Sequence, residues 1–579
     1  MRSLYNIYCI TTSFATNHSV KPIIYQVLPR LFGNREKGKN ILNGTLQQNG
    51  SGKLSAFTLP FLRRLRNDGY THIWYTGLLR HATQTDYSSI GIPASHPAVV
   101  KGKAGSPYAI ADYYDIDPDL SDCPEQRQEE FDKLVARTHK VGLKFIMDFV
   151  PNHVARQYHS IAAPKGIVGL GSGDNTAQAF SPQNNFYYIP GQCFHTDGFA
   201  PGSDYQEQPA RVTGNDCFHA FPSANDWYET IKLNYGVDYL SGRRTYFQPL
   251  PSTWLKMTEI LLHWASRGVD SFRCDMAEMV PVAFWQYAIA EVKKQYPQVQ
   301  FIAEVYNPER YRDYIHQGGF DYLYDKVGLY DTLRAIVQGT KWAADITPCW
   351  QATSDIADHM LHFLENHDEQ RIASDFFAGN AQAGVPAFFV AALMNKAAVM
   401  LYSGQEVGEP GMEAEGFSGL DGRTTIFDYW RVNKICRRSR GLTSLSKEER
   451  SLYEQYATIT RLCSESEIVR EGTFFDLMYA NFDHPETFNA SRHYAFLRSL
   501  PGKGVMLCVA NFSSEPHEVE VRIPAHAFDF AQLQTGTCQA QNPISDETQS
   551  LTLIPDGFVS INVPAYGGSI LLLPTSKNS

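Results

Sequence analysis

Gly268-Val269-Asp270-Ser271-Phe272-Arg273-Cys274-Asp275 is a short apolar run into which an arginine and a carboxylate are set two residues apart. On a strand, successive side chains alternate faces, so Arg273 and Asp275 share one face and Phe272 and Cys274 the other. A permanent cation therefore stands beside a carboxylate at the end of a buried strand. Taken alone, the pair reads equally as an ion pair that pins a fold or as a poised reactive group. The rest of the chain decides between them.

Comparable apolar runs occupy residues 22–28, 71–75, 143–150, 300–305, 322–324, 360–364 and 398–402. Between them lie stretches with helical spacing: 57–68, with apolar side chains at 57, 59, 61, 62 and 65; 124–140, opened by Pro124; and 254–266. With residues 270–274 this makes eight strands alternating with helices, and no Gly-rich phosphate loop follows the first of them. The pattern predicts a parallel (β/α)8 TIM barrel over residues 20–480 rather than an open doubly wound sheet.

Residues 154–250 break the rhythm, being rich in Gly, Asn, Ser, Gln and Pro. A structureless loop of that length does not belong in a compact domain, so an inserted small domain or lid is expected after the third strand. Short alternating runs at 493–499, 505–510, 518–523, 551–554, 558–563 and 569–573 predict a C-terminal antiparallel β-sandwich over residues 485–579. Residues 1–19 read as a leader or an extended start, since Tyr, Asn and Thr interrupt their apolar part.

The chain has 579 residues, 43% of them hydrophobic, which is enough for a large core and more than one domain. Its formal net charge is -10, and its basic runs, Arg63-Arg64-Leu65-Arg66 and Arg437-Arg438-Ser439-Arg440, are short. Nucleic-acid binding needs a broad basic patch, so no nucleic-acid partner is expected. No run approaches the ~18 apolar residues that cross a bilayer, so no membrane partner is expected, and a cytoplasmic location is favoured. Cys274 and Cys508 sit in strand-like runs as free buried thiols, whereas Cys193 and Cys217 lie in a loop-rich region where they could pair in an exported protein. Aromatic residues make up 13% of the chain, which favours apolar faces in clefts as well as in the core.

Catalytic side chains of a parallel barrel gather at the C-terminal ends of its strands. The polar residues that end the apolar runs are Asp148 with Asn152 and His153, Arg273 with Asp275, Glu304, and His367 with Asp368. Singly, each has a plain structural use as a helix cap or a carbonyl-bound ring. Four coincident strand ends suit glycoside hydrolysis, in which one ionised carboxylate attacks the anomeric carbon and a protonated acid about 5 Å away releases the leaving group. Arg273 on the same strand face would keep Asp275 ionised, and Glu304, flanked by Ala303 and Val305, would occupy the more apolar setting that keeps a proton.

Asp148-Phe149-Val150-Pro151-Asn152-His153, the opening stretch, Ala303-Glu304-Val305 and Asn366-His367-Asp368 resemble, in order, the four signature regions of the α-amylase family, glycoside hydrolase family 13. The resemblance implies a catalytic barrel, an inserted domain B and a C-terminal sandwich. It implies Asp275 as nucleophile, Glu304 as general acid/base and Asp368 as the carboxylate that stabilises an oxocarbenium-like transition state. Arg273, His153 and His367 would hold the sugar in the first subsite, and Tyr108 would be the stacking tyrosine.

The implied reaction is retaining cleavage of α-1,4 links in starch, glycogen or maltooligosaccharides. The alternatives are an α-glucan transglycosylase, of 4-α-glucanotransferase or neopullulanase-like type, and a non-catalytic glycan-binding relative, which would lack an acid that this chain keeps. Two departures stand out. Glu278 and Met279 replace the Lys-His pair that many members carry on the leaving-group side, and Lys232, in Thr230-Ile231-Lys232-Leu233-Asn234, stands where calcium-binding members have Asp. A fixed cation is at odds with a calcium site built on hard oxygens, so no cofactor is expected to be required, with Asn152 the one calcium-type position retained. The lysine is similar to the neopullulanase-like branch, but a first strand near Pro22 leaves no room here for that branch's extra N-terminal domain.

Overall fold

The computed structural model describes residues 21–417 and 419–575, so the expected leader at 1–19 lies outside the described residues. Eight strands, β1 (Ile23–Val27), β2 (His72–Tyr75), β3 (Lys144–Phe149), β4 (Ser271–Cys274), β5 (Gln300–Ala303), β6 (Tyr322–Tyr324), β7 (Met360–His362) and β8 (Ala398–Tyr402), close into a barrel. Every neighbouring pair is parallel, and β8 returns to β1. All eight expected strands are present, most of them shorter at their ends.

The strands bury both faces, as parallel strands sheathed in helices must. Ile24, Trp74, Ile146, Ile302, Tyr324, Leu361 and Met400 fill the barrel interior, while alternate residues such as Ile23, Tyr25, Ile73 and Phe145 pack outward. Arg273 pairs in register with Asp148 on one side and with interior Ile302 on the other, so alternation sends both Asp148 and Arg273 into the barrel. The opening stretch therefore aims its charges inward.

The insertion contains short ribbons and one 3-10 turn, Tyr239–Ser241. His153–Ala155 pairs with Thr230–Lys232, bringing its two ends together beside β3, and Tyr188–Ile189 pairs with Ala210–Arg211. Buried Arg156 ties it internally through Glu207 at 2.6 Å. Cys193 and Cys217 are both free thiols.

The C-terminal region forms a six-stranded antiparallel sheet with a separate two-stranded sheet, His517–Arg522 with Phe558–Val563. The larger sheet begins at Thr473–Asp476, which pairs with His493–Leu500, so it starts ahead of the expected boundary at residue 485. Its strand Gly536–Gln541 lies outside the expected runs, because its alternation rests only on the small side chains of Cys538 and Ala540, a weak apolar signal. Helix Gly384–Leu393 is buried along its whole length, and Gly568 lies against the Phe389 ring so closely that an added Cβ would come within 2.5 Å of it. No described helix is long and apolar enough to cross a membrane.

Candidate active site

Asp275 and Glu304 each stand one residue past a barrel strand. Their backbone N–H groups continue the parallel ladder, donating to Phe149 O at 2.9 Å and Cys274 O at 3.2 Å. Arg273, fully buried, grips both carboxylates: Nη1 lies 2.8 Å from Asp275 Oδ1 and Nη2 lies 2.8 Å from Glu304 Oε2. Its Nε donates to Tyr324 Oη at 3.2 Å. Asp148 is 3.6 Å from the same guanidinium and accepts from Trp74 Nε1 and Gly77 N.

This geometry corrects the expected division of environments. Arg273 does not single out Asp275, and Glu304 is not in an apolar setting: Oε2 also accepts from Met276 N at 2.8 Å, and Oε1 accepts from the Tyr306 hydroxyl. The physical reason is that residues one step beyond adjacent parallel strands meet on one interior face, which flanking Ala303 and Val305 do not reveal. Met276 adopts a left-handed backbone, with φ of 44°, to turn its N–H toward Glu304; such strain in a non-glycine residue is characteristic of functional sites. Burial pushes Asp275 well above the usual carboxylate range, opposed by Arg273 and reinforced by the Glu304 and Asp368 carboxylates.

Asp368 lies on the loop after β7. Its position is desolvating, but His367, Arg273 and Arg423 hold it below the usual carboxylate range. His367 Nε2 is 3.1 Å from Asp368 Oδ2 and 2.5 Å from Tyr108 Oη, and its Nδ1 is 2.8 Å from Gln26 Nε2. Tyr108 stacks on the His367 ring at 5.2 Å between centroids. His153, pushed down to about 3 by burial with Lys232 and Lys101 nearby, is a neutral hydrogen-bonding ring at neutral pH.

Tyr108, His153, Asp275, Glu304 and Asp368 line one cavity of about 330 Å³. Arg273 and His367 stand directly behind it through the contacts above. The cavity is completed by residues that sequence reasoning missed: Lys101, Trp227, Glu229, Tyr306, Phe417 and Phe427. Tyr306 was within reach of the alternation argument, two residues after Glu304. The others come from three separate loops and carry no local signal. Glu278 accepts from the backbone N–H groups of Tyr306 and Asn307, and with Met279, Arg243 and Arg310 it lines a second cavity of about 270 Å³.

The calcium position does not fit calcium. Lys232 Nζ lies 3.0 Å from Asn152 Oδ1 and 2.6 Å from Asp216 Oδ1, so an ammonium occupies the oxygen ligands that a hard dication would use. Among the described residues, no group of three or more His, Cys, Asp or Glu side chains is arranged to hold a metal.

Residues 26–434 match the family model described as "Alpha amylase, catalytic domain". Among relatives, Maltase 1 of Drosophila virilis is 26% identical over 254 residues, 44% of this chain and 31% of that protein. Alpha-amylase 3 of Dictyoglomus thermophilum is 22% identical over 377 residues, 61% of this chain and 66% of that protein. The chain thus spans less than two thirds of the length of either. A solved maltogenic α-amylase of Thermotoga neapolitana shares the fold with a TM-score of 0.61 at 19% identity, covering 96% of this chain and 98% of that one. With a family match over most of its length, the chain belongs to the α-amylase family of glycoside hydrolases and transglycosylases.

Proposed function

We propose that the protein hydrolyses α-1,4-glucosidic bonds of starch, glycogen fragments or maltooligosaccharides with retention of configuration. One observation carries the reading: a single buried guanidinium holds Asp275 and Glu304 on adjacent nitrogens, with Asp368 lining the same cavity. Such a grip keeps the two carboxyls close, as a retaining mechanism with a spacing of about 5–5.5 Å requires, and leaves little room for the water that an inverting enzyme places between them.

In the first step Asp275 attacks the anomeric carbon while Glu304 gives its proton to the departing glycosidic oxygen. In the second, Glu304 takes a proton from water, which displaces Asp275 and regenerates the α anomer. Asp368, held ionised by His367, Arg273 and Arg423, faces the positive charge that develops on the sugar ring. The reactive arrangement is the one with the proton on Glu304 and Asp275 free to attack. Tyr108 stacks on the sugar, while His153, His367 and Arg273 hold its hydroxyls.

A time course on maltoheptaose and pullulan with anomer-resolved product analysis tests this. The first product should be the α anomer; a β anomer overturns the retaining mechanism. Products longer than the substrate would assign the chain to the transglycosylases instead.

A further inference from the structure

Lys101 and Glu229 belong to no part of the catalytic set, yet both line the catalytic cavity. They form an ion pair at 3.1 Å in which the glutamate side chain is 5% exposed and the lysine side chain 24%. Lys101 comes from the long loop after β2 and Glu229 from the end of the insertion. Lys101 also lies 5.5 Å above the Tyr228 ring and 5.9 Å above that of Phe427, the latter on the loop after β8. The loop carrying Lys101 is latched to that third segment where the N–H groups of Ala104 and Gly105 donate to Phe427 O at 3.1 and 3.2 Å. Three distant segments thus meet at this pair.

A fold does not need the pair in this form. Glu229 Oε1 faces Lys101, but Oε2 accepts no hydrogen bond from any other described residue although Glu229 is buried. A buried carboxylate oxygen without a donor is destabilising, and such groups persist where a ligand or a function accounts for them. The ammonium has three donors, of which Glu229 takes one. A carboxylate that lacks a donor beside an ammonium with donors to spare complements adjacent sugar hydroxyls, each of which both donates and accepts. Trp227, whose ring lies 5.2 Å from that of His153, lines the same cavity and offers a flat apolar face for the sugar ring.

We propose that Lys101 and Glu229 form a hydroxyl clamp that binds two neighbouring hydroxyls of one glucosyl unit of the substrate, that unit resting on Trp227. The clamp rests on the reading of this cavity as a glycosidase site. It acts in binding rather than in bond cleavage, so it sets which sugars the cavity accepts.

The test compares wild type with Glu229→Ala, Glu229→Gln and Lys101→Met, using maltotriose turnover and calorimetric titration with maltose and its monodeoxy analogues. Glu229→Ala should raise KM and the maltose Kd by between about 10- and 100-fold, the range for a hydrogen bond to a charged group, with kcat within about 3-fold of wild type. Glu229→Gln should recover part of the loss. One or two deoxy analogues should bind more weakly to wild type but no more weakly than maltose to Glu229→Ala.

Unchanged KM and Kd in the variants, a fall in kcat alone, or equal deoxy penalties in wild type and Glu229→Ala would overturn the clamp, as would failure of wild type to bind maltose. If Glu229→Ala does not fold, Glu229→Gln and Lys101→Met carry the same comparison. Maltose binding with the expected deoxy pattern but no turnover would sink the catalytic reading and leave the clamp standing.

Discussion

On the proposed mechanism, replacing Asp275 by asparagine or Glu304 by glutamine removes the nucleophile or the proton donor while leaving the shape of the site almost unchanged. Each should lower kcat/KM on maltooligosaccharides by about 10²- to 10⁴-fold or more, measured with thermal unfolding as a folding control. Activity preserved in both variants would refute the assignment. A second expectation concerns pH. Asp275 is raised by burial and by its carboxylate neighbours, and it must be ionised to attack, so the acid limb of kcat/KM should lie above the ordinary aspartate value of about 4. On α-glucosyl fluoride, whose leaving group needs no proton, Glu304→Gln should move that limb to lower pH, because removing the Glu304 carboxylate removes one cause of the rise. A limb that stays in place or moves up would show that the two acids are not coupled. The identities of Asp275, Glu304 and Asp368 were legible in short motifs at strand ends. Their shared grip by Arg273 was not, because a flanking sequence does not say which side chains arrive from the next strand.

At the scale of elements, the ribbon joining His153–Ala155 to Thr230–Lys232 does the work that a bound ion would otherwise do. It draws the Lys232 ammonium between Asn152 and Asp216 and so ties the insertion to the end of β3. Chelation with EDTA should therefore leave kcat/KM of the wild type unchanged; a loss restored by calcium would contradict this geometry. Lys232→Met should lower stability by about 1–3 kcal/mol, read as a drop in melting temperature, because it strands the Asn152 and Asp216 oxygens without their donor. The lysine was visible in the sequence as a departure from the calcium pattern, but its partner Asp216 was not. Fifteen residues separate the two, and no periodicity spans them.

For the whole molecule, barrel and sandwich share a face. Helix Gly384–Leu393 is apolar on every side because the barrel covers one flank and the C-terminal sheet the other, with Gly568 seated on Phe389. Gly568→Val should force that contact apart, at a cost of about 1–3 kcal/mol, and lower the melting temperature while leaving KM unchanged. An unaltered melting temperature would mean that the two regions yield to each other more easily than this packing implies.

The amino-acid sequence by itself determined the eight barrel strands, the inward face of Arg273 and the stretches that carry the acids. These depend on a two-residue alternation and on positions within a few residues of a strand end, both of which are local. Tertiary structure alone decided that Arg273 serves both Asp275 and Glu304, that Lys232 pairs with Asp216, and that Lys101, Glu229 and Phe427 close one wall of the cavity. Those contacts join loops far apart in the chain, and only closure of the barrel brings strand ends, and the loops that leave them, to one mouth.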